Sequence, residues 1–170
     1  MKIVPGKQIE DYLIGDEFNS HPNYHLFTNI SDNEYKLGHI LIRTNKNGGI
    51  HLICTSKGNF QDINIGMTFY EIIQKGYELL YDEFDQLFYL NSQKGLCIEK
   101  KYENLRFEEL LNSKIEYLTV FDTTSDYESW ELISSDFDLI NKKNINKHVR
   151  QNTSFENFVD DKINDFKNKY

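Results

Sequence analysis

The sequence is short of several residues that mark particular classes of protein. It contains no alanine, and only two cysteines, two prolines and one tryptophan among 170 residues. The missing alanine points to an AT-rich coding sequence and carries no structural information. No stretch of 18 apolar residues is present, which excludes an ordinary membrane-spanning helix. The first residues form no apolar signal region, so we expect a cytoplasmic protein.

The sequence also lacks the motifs of the common enzyme and cofactor-binding classes. It has no P-loop, no Gly-x-Gly-x-x-Gly, no Gly-x-Ser-x-Gly and no Cys-x-x-Cys. His21 and His25 have the i, i+4 spacing of a helical zinc site, but Pro22 lies between them and no third ligand is evident. We therefore predict no cofactor and no metal site.

Both cysteines lie in apolar, strand-like segments. Cys54 belongs to Leu52–Thr55, and Cys97 belongs to Leu96–Ile98. A free cysteine behaves as a small apolar residue, and no secretion signal supports a disulfide. We expect both thiols to be reduced and buried in the core.

One sequence pattern occurs twice. Gly58–Ile73 is typical of a short strand, a glycine corner and the first turns of a helix, and Gly6–Phe18 has a similar pattern. Matched positions lie 51 residues apart, and the first copy has one extra residue after its first glycine. The matched pairs are Asp11 with Asp62, Ile14 with Ile65, Gly15 with Gly66 and Phe18 with Phe69. We predict a single domain over 1–170, with repeat copies at about 1–55 and 56–122 and a C-terminal extension at 123–170.

The elements predicted around this repeat give an α+β fold with a mainly antiparallel sheet, built from a duplicated strand-corner-helix-hairpin unit. Thr68 and Glu71 form a capping box that starts the helix of the second copy, whereas Pro22 shortens the matching helix of the first. The other predicted elements are a short helix at Phe107–Leu111 and strands at Tyr24–Ile30, Tyr35–Arg43, Ile50–Thr55, Tyr77–Asp82, Gln86–Asn91, Gly95–Lys100, Ile115–Asp122 and Ser129–Ser134.

The C-terminal extension ends in a predicted amphipathic helix. Thr153 and Glu156 form a second capping box at its start. Its apolar face consists of Phe155, Phe158, Val159, Ile163 and Phe166.

The negative charge is concentrated in the middle of the chain. Residues 76–138 carry 15 acids and 5 bases, a net charge of −10. Residues 1–75 carry 8 acids and 7 bases, and 139–170 carry 4 acids and 7 bases. Such a distribution repels nucleic acid and attracts a basic partner.

Large aromatic residues are interleaved with these acids in Tyr81–Asp85 and Phe121–Glu131. Aromatic anchors surrounded by charge are typical of a surface that binds a basic protein. We predict a partner-binding surface with Tyr81 and Trp130 as its anchors and no catalytic residue. Its predicted charged members are Asp82, Glu83, Asp85, Asp122, Asp126 and Glu128.

Two other functions stay open. His39 and His51 lie on predicted strands and have the chemistry to act as general acid and base in a small hydrolase. The acidic chain offers no lysine cluster beside them to hold a phosphate. The third possibility is a structural or small-ligand-binding module made from the duplicated unit.

The glycine-framed segments Gly6–Phe18 and Gly58–Ile73, followed by an acidic hairpin rich in Tyr and Phe, resemble a module found in bacterial toxin-immunity proteins. These proteins belong to contact-dependent inhibition and polymorphic toxin systems. The resemblance covers roughly residues 1–122 and brings no catalytic residue with it. It implies an immunity protein that binds a basic toxin with an RNase or DNase domain, and that binds neither nucleic acid nor membrane.

Overall fold

The protein has an α+β fold dominated by one antiparallel sheet, which confirms the predicted fold class. The computed structural model describes residues 1–100, 105–124, 130–153 and 157. The first repeat contains β1 (Ile3–Val4), β2 (Gln8–Ile9), β3 (Tyr12–Leu13), β4 (Thr28–Ser31), β5 (Glu34–Leu37), β6 (Ile40–Thr44) and β7 (Ile50–Thr55), with 3-10 turns at Phe18–Ser20 and Tyr24–Leu26. The second contains β8 (Asn59–Phe60), β9 (Ile63–Asn64), α1 (Phe69–Gln74), β10 (Leu79–Asp82), β11 (Leu87–Leu90), β12 (Leu96–Glu99), α2 (Phe107–Asn112) and β13 (Tyr117–Phe121). The extension adds α3 (Trp130–Asp136), β14 (Asp138–Ile140) and α4 at 145–153.

Each repeat contributes one four-stranded meander to the main sheet. The strand order is β14-β10-β11-β12-β13-β7-β6-β5-β4. The two meanders, β4–β7 and β10–β13, meet where β7 pairs antiparallel with β13. Cys54 lies opposite Thr119 at this junction. The two halves are therefore arranged about an approximate two-fold axis through the Cys54–Thr119 pair.

The glycine corners of the two repeats have the same geometry. Gly15 has a φ of 92° and Gly66 a φ of 93°, a left-handed region that favours glycine. The Gly15 N–H donates to the carbonyl of Ile50 at 2.7 Å, and the Gly66 N–H donates to the carbonyl of Ile115 at 3.0 Å. Each corner thus ties its hairpin to the last strand of its own repeat. The adjoining Ile14 and Ile65 are both half-buried against the core.

An aromatic pair follows each corner in the same position. Phe18 packs on Tyr35 with ring centroids 4.4 Å apart, and Phe69 packs on Phe88 at the same distance. Tyr35 and Phe88 therefore occupy equivalent sites on β5 and β11.

The helices after the two corners differ as the sequence predicts. At the start of α1, the Glu71 N–H donates to Thr68 Oγ1 at 3.1 Å, and the Thr68 N–H donates to Glu71 Oε2 at 2.8 Å. In the first repeat only the 3-10 turn Phe18–Ser20 forms, since His21 is extended ahead of Pro22.

The two faces of the sheet bury separate clusters of side chains. The inner face, which includes Ile42, Ile53 and Phe88, packs against the corners, α1 and α2. The outer face of the second repeat packs against Ile133 of α3 and includes Tyr89 and Cys97. Within the described part of the chain, no helix is long and apolar enough to cross a membrane.

Several predicted elements are wrong. The segment Trp130–Asp136 is a helix, whereas the prediction was a strand over Ser129–Ser134. Thr153 lies inside α4, where its hydroxyl donates to the Val149 carbonyl at 2.8 Å, so it does not cap a new helix. The predicted strand Tyr35–Arg43 is the hairpin of β5 and β6. The predicted apolar face of the C-terminal helix, with Glu156, lies outside the described residues.

Candidate partner-binding surface

The turn between β10 and β11 presents the most exposed large apolar side chain of the described residues. Phe84 is 91% exposed. Its neighbours Glu83 and Asp85 are also exposed. We call residues Asp82–Gln86 the Phe84 turn.

Side-chain hydrogen bonds fix the shape of the Phe84 turn. Asp82 is only 8% exposed, and its Oδ1 accepts hydrogen bonds from the N–H groups of Phe84 at 2.9 Å and Asp85 at 3.2 Å. This is the local bonding by which aspartate stabilises turns. Asp82 therefore organises the turn. We had predicted that its carboxylate contacts a partner, but the carboxylate is buried and bonded within the turn.

A second pair of hydrogen bonds connects the turn to the segment before α2. Gln86 has a φ of 54°, and its Nε2 donates to the Leu105 carbonyl at 2.6 Å. The Leu105 N–H donates back to Gln86 Oε1 at 3.1 Å. Because α2 begins at Phe107, these bonds hold the acidic start of α2 beside the turn.

Tyr81 lies beneath the turn in the core. It is 6% exposed, and its ring stacks on Phe88 at 4.8 Å and packs on Phe107 at 5.0 Å. Its predicted role as an exposed anchor is therefore wrong. On β10, Tyr81 and Leu79 point to the inner face, since side chains alternate along a strand. The residue of this stretch that projects into solvent is Phe84, which we had not chosen.

The predicted acidic residues do not form one surface. Glu83 and Asp85 lie at the end of the main sheet that contains Leu87 of β11 and Glu99 of β12. Asp122 follows the opposite end of β13, roughly 17 Å away along the strand direction. Its Oδ1 accepts from the N–H and hydroxyl of Thr124 at 2.9 Å and 2.7 Å. Asp122 is therefore not part of the surface around Phe84.

The remaining predicted site residues are Asp126, Glu128 and Trp130. Asp126 and Glu128 lie outside the described residues. The backbone of Trp130 begins α3, and its side chain lies outside what the structure describes.

Other exposed carboxylates lie at the Phe84 end of the sheet. Asp138 of β14 pairs with Tyr81, and Glu108 and Glu109 occupy the first turn of α2. Arg106 adds a positive charge next to them. The candidate surface thus consists of an exposed phenyl ring with Glu83 and Asp85 at its sides and further carboxylates beyond.

The structure separates the two histidines that a hydrolase would need. His39 lies opposite Ser56 on the β6–β7 hairpin. Ser56 is five residues from His51 along the chain, so the two histidines are roughly 17 Å apart along the strand direction. Among the described residues, no group of three or more His, Cys, Asp or Glu side chains is placed to hold a metal ion.

The two cysteines do not provide a nucleophile. Both are free and buried, as predicted. Burial, with the Glu99 charge as a second cause, raises the pKa of Cys54 to about 12 and raises that of Cys97 well above its ordinary value. Since a thiolate is the reactive species, both thiols are inert at neutral pH.

Two concave features lie on the described surface. A pocket of about 50 Å³ on the outer face is lined by Tyr89, Cys97 and Thr119 among others, and the buried Thr119 hydroxyl there makes no well-formed hydrogen bond and lies opposite the Cys54 thiol. It is much smaller than the roughly 300–1,000 Å³ typical of small-molecule sites. An open groove of about 380 Å³ between α2 and Thr153 is lined by polar and charged side chains. Neither offers an apolar, enclosed ligand site.

Comparison with known proteins gives no match: no family model, curated protein or solved structure is significantly similar to this chain.

Proposed function

We propose that the protein is an immunity protein, which binds a basic toxin in the cytoplasm and blocks its active or substrate-binding site. The expected toxin is a nuclease, and the mechanism involves no catalytic turnover. The observation that carries the proposal is the Phe84 turn. In this hydrogen-bonded turn the almost fully exposed Phe84 ring lies between the exposed residues Glu83 and Asp85. Interface energy concentrates on a few such aromatic anchors.

The exposed ring has a clear energetic consequence for binding. Burying a Phe side chain that was exposed contributes about 1.5–3 kcal/mol. Loss of this contribution weakens an equilibrium dissociation constant roughly 10- to 100-fold. Because the turn is already fixed by Asp82 and Gln86, little conformational entropy is lost when the ring binds.

The charges around the ring affect association more than dissociation. The net charge of the chain is −8, and the middle third holds the excess of acids. A field of this kind raises association rates by about 10–10³ at low salt. Glu83 and Asp85 are exposed, so their neutralisation should lower the association rate and its salt dependence while the dissociation rate changes little.

The resemblance of the two glycine-framed segments to immunity-protein modules supports the same proposal. Gly15 and Gly66 occupy matching corners, which agrees with a module used twice. The resemblance concerns the scaffold, while the binding chemistry belongs to the Phe84 turn.

The experiment uses the polypeptide encoded by the gene immediately upstream, purified as the candidate toxin, with binding measured by surface plasmon resonance. Phe84→Ser should raise the dissociation rate by roughly 10- to 100-fold. Tyr70→Ser is the matched control, since Tyr70 is an exposed aromatic (41%) that lies on α1 and not on the Phe84 turn. Equal behaviour of the two variants against a binding partner would refute the role of Phe84.

A second experiment tests the electrostatic contribution to the association rate separately. Glu83→Gln with Asp85→Asn should slow association at low salt, whereas Asp32→Asn should not. Asp32 is an exposed acid in the β4–β5 turn, the counterpart of the Phe84 turn in the first repeat. If the upstream-encoded protein does not bind at all, the assignment to that toxin is overturned.

A further inference from the structure

The tip of the β6–β7 hairpin contains the single asparagine of this sequence that is followed by glycine, Asn47-Gly48. Asparagine is one of the thermolabile residues of proteins. Because glycine has no Cβ, its backbone nitrogen is open to close approach by the preceding carboxamide. Asn47 is exposed, and among the described residues its side chain has no hydrogen-bond partner. The sequence and the exposure therefore favour a reaction between the two residues.

The folded hairpin holds the Gly48 amide in a hydrogen bond. The Gly48 N–H donates to the Asn45 carbonyl at 3.0 Å, and Gly48 has a φ of 84°. A turn followed by a glycine in the left-handed region is a common β-hairpin connection. Asn45 Oδ1 also accepts hydrogen bonds from the N–H groups of Asn47 at 2.9 Å and Gly49 at 3.0 Å. Asn45 therefore organises the tip from both its backbone and its side chain.

The tip is bonded directly to the first glycine corner. The Phe18 N–H donates to the Gly48 carbonyl at 3.0 Å, and the Ile50 N–H donates to the Asp16 carbonyl at 2.8 Å. The Phe18 side chain is only 1% exposed. A change in backbone length at the tip thus reaches the 3-10 turn that carries this buried ring.

We propose that Asn47 is a deamidation site that the folded hairpin protects and that opening of the hairpin releases. In the open hairpin the Gly48 amide gives its proton to hydroxide, and its nitrogen attacks Cγ of Asn47. The new N–Cγ bond closes a succinimide ring, and the side-chain nitrogen takes a proton from water and leaves as ammonia, which regenerates hydroxide. Water then adds to either carbonyl and opens the ring, giving aspartate or isoaspartate at position 47. No oxidant or reductant takes part.

The hydrogen bond to Asn45 accounts for the protection. While the Gly48 N–H is donated to this carbonyl, the proton is not available to hydroxide and the nitrogen is not free to turn towards the Asn47 side chain. Segments such as hairpin tips open locally without global unfolding. The reaction in the folded protein therefore proceeds through the fraction of chains whose tip is open.

The two products have different effects on the fold. Aspartate adds one negative charge at an exposed position and leaves the backbone length unchanged. Isoaspartate takes the main chain through the former side chain and lengthens it by one carbon between residues 47 and 48. The longer tip displaces the Gly48 carbonyl from the Phe18 N–H, so isoaspartate should make the hairpin open more readily. Deamidation thus marks chains whose first repeat has opened and makes that opening less reversible.

Peptide mapping by mass spectrometry measures the reaction on the full chain, in mildly alkaline buffer with and without denaturing urea. Asn47 should react at least about 10-fold more slowly without urea, which corresponds to an opening free energy of at least about 1.4 kcal/mol. Asn112, which precedes Ser113, is the internal reference and should react more slowly than Asn47 in urea. Equal rates for Asn47 in the two buffers overturn the protection, and a rate in urea no faster than that of Asn112 overturns the site.

Asn45→Ala tests the hydrogen bonds of the tip. Loss of the Oδ1 acceptor should raise the rate at Asn47 in the folded protein roughly 2- to 10-fold. Asn59→Ala is the matched control, since the Asn59 side chain donates to the Gln61 carbonyl in a different hairpin, and it should leave the rate unchanged. An unchanged rate in Asn45→Ala, or equal acceleration in both variants, overturns the protective role of the tip.

The effect of isoaspartate is separated from that of charge by the variant Asn47→Asp. This variant carries the added charge on a backbone of normal length. Deamidated protein whose peptide map shows isoaspartate should unfold at a lower urea concentration than Asn47→Asp. Equal midpoints overturn the proposed link between the tip and the first glycine corner.

Discussion

Replacing Tyr81 and Phe84 separately by alanine distinguishes the core from the binding surface. The two aromatic residues are three positions apart and lie in the same acidic stretch, Tyr81–Asp85. Tyr81 is 6% exposed and Phe84 is 91% exposed. Tyr81→Ala should therefore destabilise the protein strongly, whereas Phe84→Ala should leave its stability almost unchanged.

The magnitude follows from what surrounds Tyr81. A buried tyrosine removes about 150–250 Å² from water, worth about 4–6 kcal/mol at 25 cal/mol per Å², which is an upper estimate because the unfolded chain already buries part of it. Its ring also packs on Phe88 and Phe107, and truncation leaves a cavity between them. Large-to-small changes of this kind cost about 3–5 kcal/mol. A substitution at an exposed position, such as Phe84→Ala, should change the free energy of unfolding by no more than about 0.5 kcal/mol.

The assay is urea unfolding followed by far-ultraviolet circular dichroism. Tyr81→Ala should lower the transition midpoint with little change in slope, since the surface exposed on unfolding is nearly the same. Because domains of this size have only about 5–15 kcal/mol of stability, the variant keeps a small margin of folding. Equal midpoints for wild type and Tyr81→Ala, or a large loss in Phe84→Ala, would contradict the placement of these rings.

Three further predictions test other parts of the structure by the same unfolding assay. Gly15→Val and Gly66→Val should each lower the free energy of unfolding by a similar amount, about 1–3 kcal/mol. Both residues have a φ near 92°, and an added Cβ would meet no heavy atom within 4 Å, so backbone strain is the cause. A loss of stability at only one corner contradicts their equivalence. Thr119→Val removes a buried hydroxyl that makes no well-formed hydrogen bond and has only the weakly bonding Cys54 thiol opposite it, so it should raise the free energy of unfolding by up to about 1 kcal/mol, and a loss of that size would mean that the Cys54 contact stabilises the fold. Hydrogen bonds from the Thr68 N–H and hydroxyl lower the pKa of Glu71, so its stabilising effect is present above the ordinary pKa of 4.5 and disappears as pH falls through the lowered folded-state pKa. The stability difference between wild type and Glu71→Gln should therefore shrink on acidification through this range, and a constant difference contradicts the role of the ionised cap.

The repeat and its turns could be predicted because local chemistry determines them. Gly15 and Gly66 mark corners that need a left-handed backbone, and Thr68 with Glu71 specifies a helix start irrespective of the rest of the chain. The pairing of β7 with β13 could not be predicted, since the choice of neighbouring strand is a long-range property. For the same reason the sequence did not indicate that β14 covers β10 and leaves β4 open.

The errors arose where tertiary contacts override local patterns. The α3 segment is short and of mixed polarity, so periodicity did not distinguish helix from strand, and Ile133 and Phe137 now pack against the outer face at helical spacing. Thr153 has the sequence of a capping residue, yet α4 already extends through it. Tyr81 and Phe84 could have been separated by strand alternation, because Tyr81 shares the parity of buried Leu79 and Phe84 lies in the turn.

The two repeats share a backbone plan but present different chemistry at opposite edges of the sheet. The strands β10 and β4 are seven positions apart in the sheet order, which corresponds to roughly 34 Å. Because effects of substitutions separated by more than about 10 Å are additive, a substitution on β4 should not alter partner binding at the Phe84 turn.

A double-variant comparison tests this independence. Ile30→Lys, a change of an exposed residue on β4, should leave the affinity for a toxin partner unchanged, whereas Phe84→Ser should lower it, and the combined variant should bind as Phe84→Ser alone does. An affinity that falls in Ile30→Lys would mean that the β4 edge contributes to partner binding. In that case the functional surface spans both edges of the sheet, and the assignment of partner binding to the Phe84 turn alone is wrong.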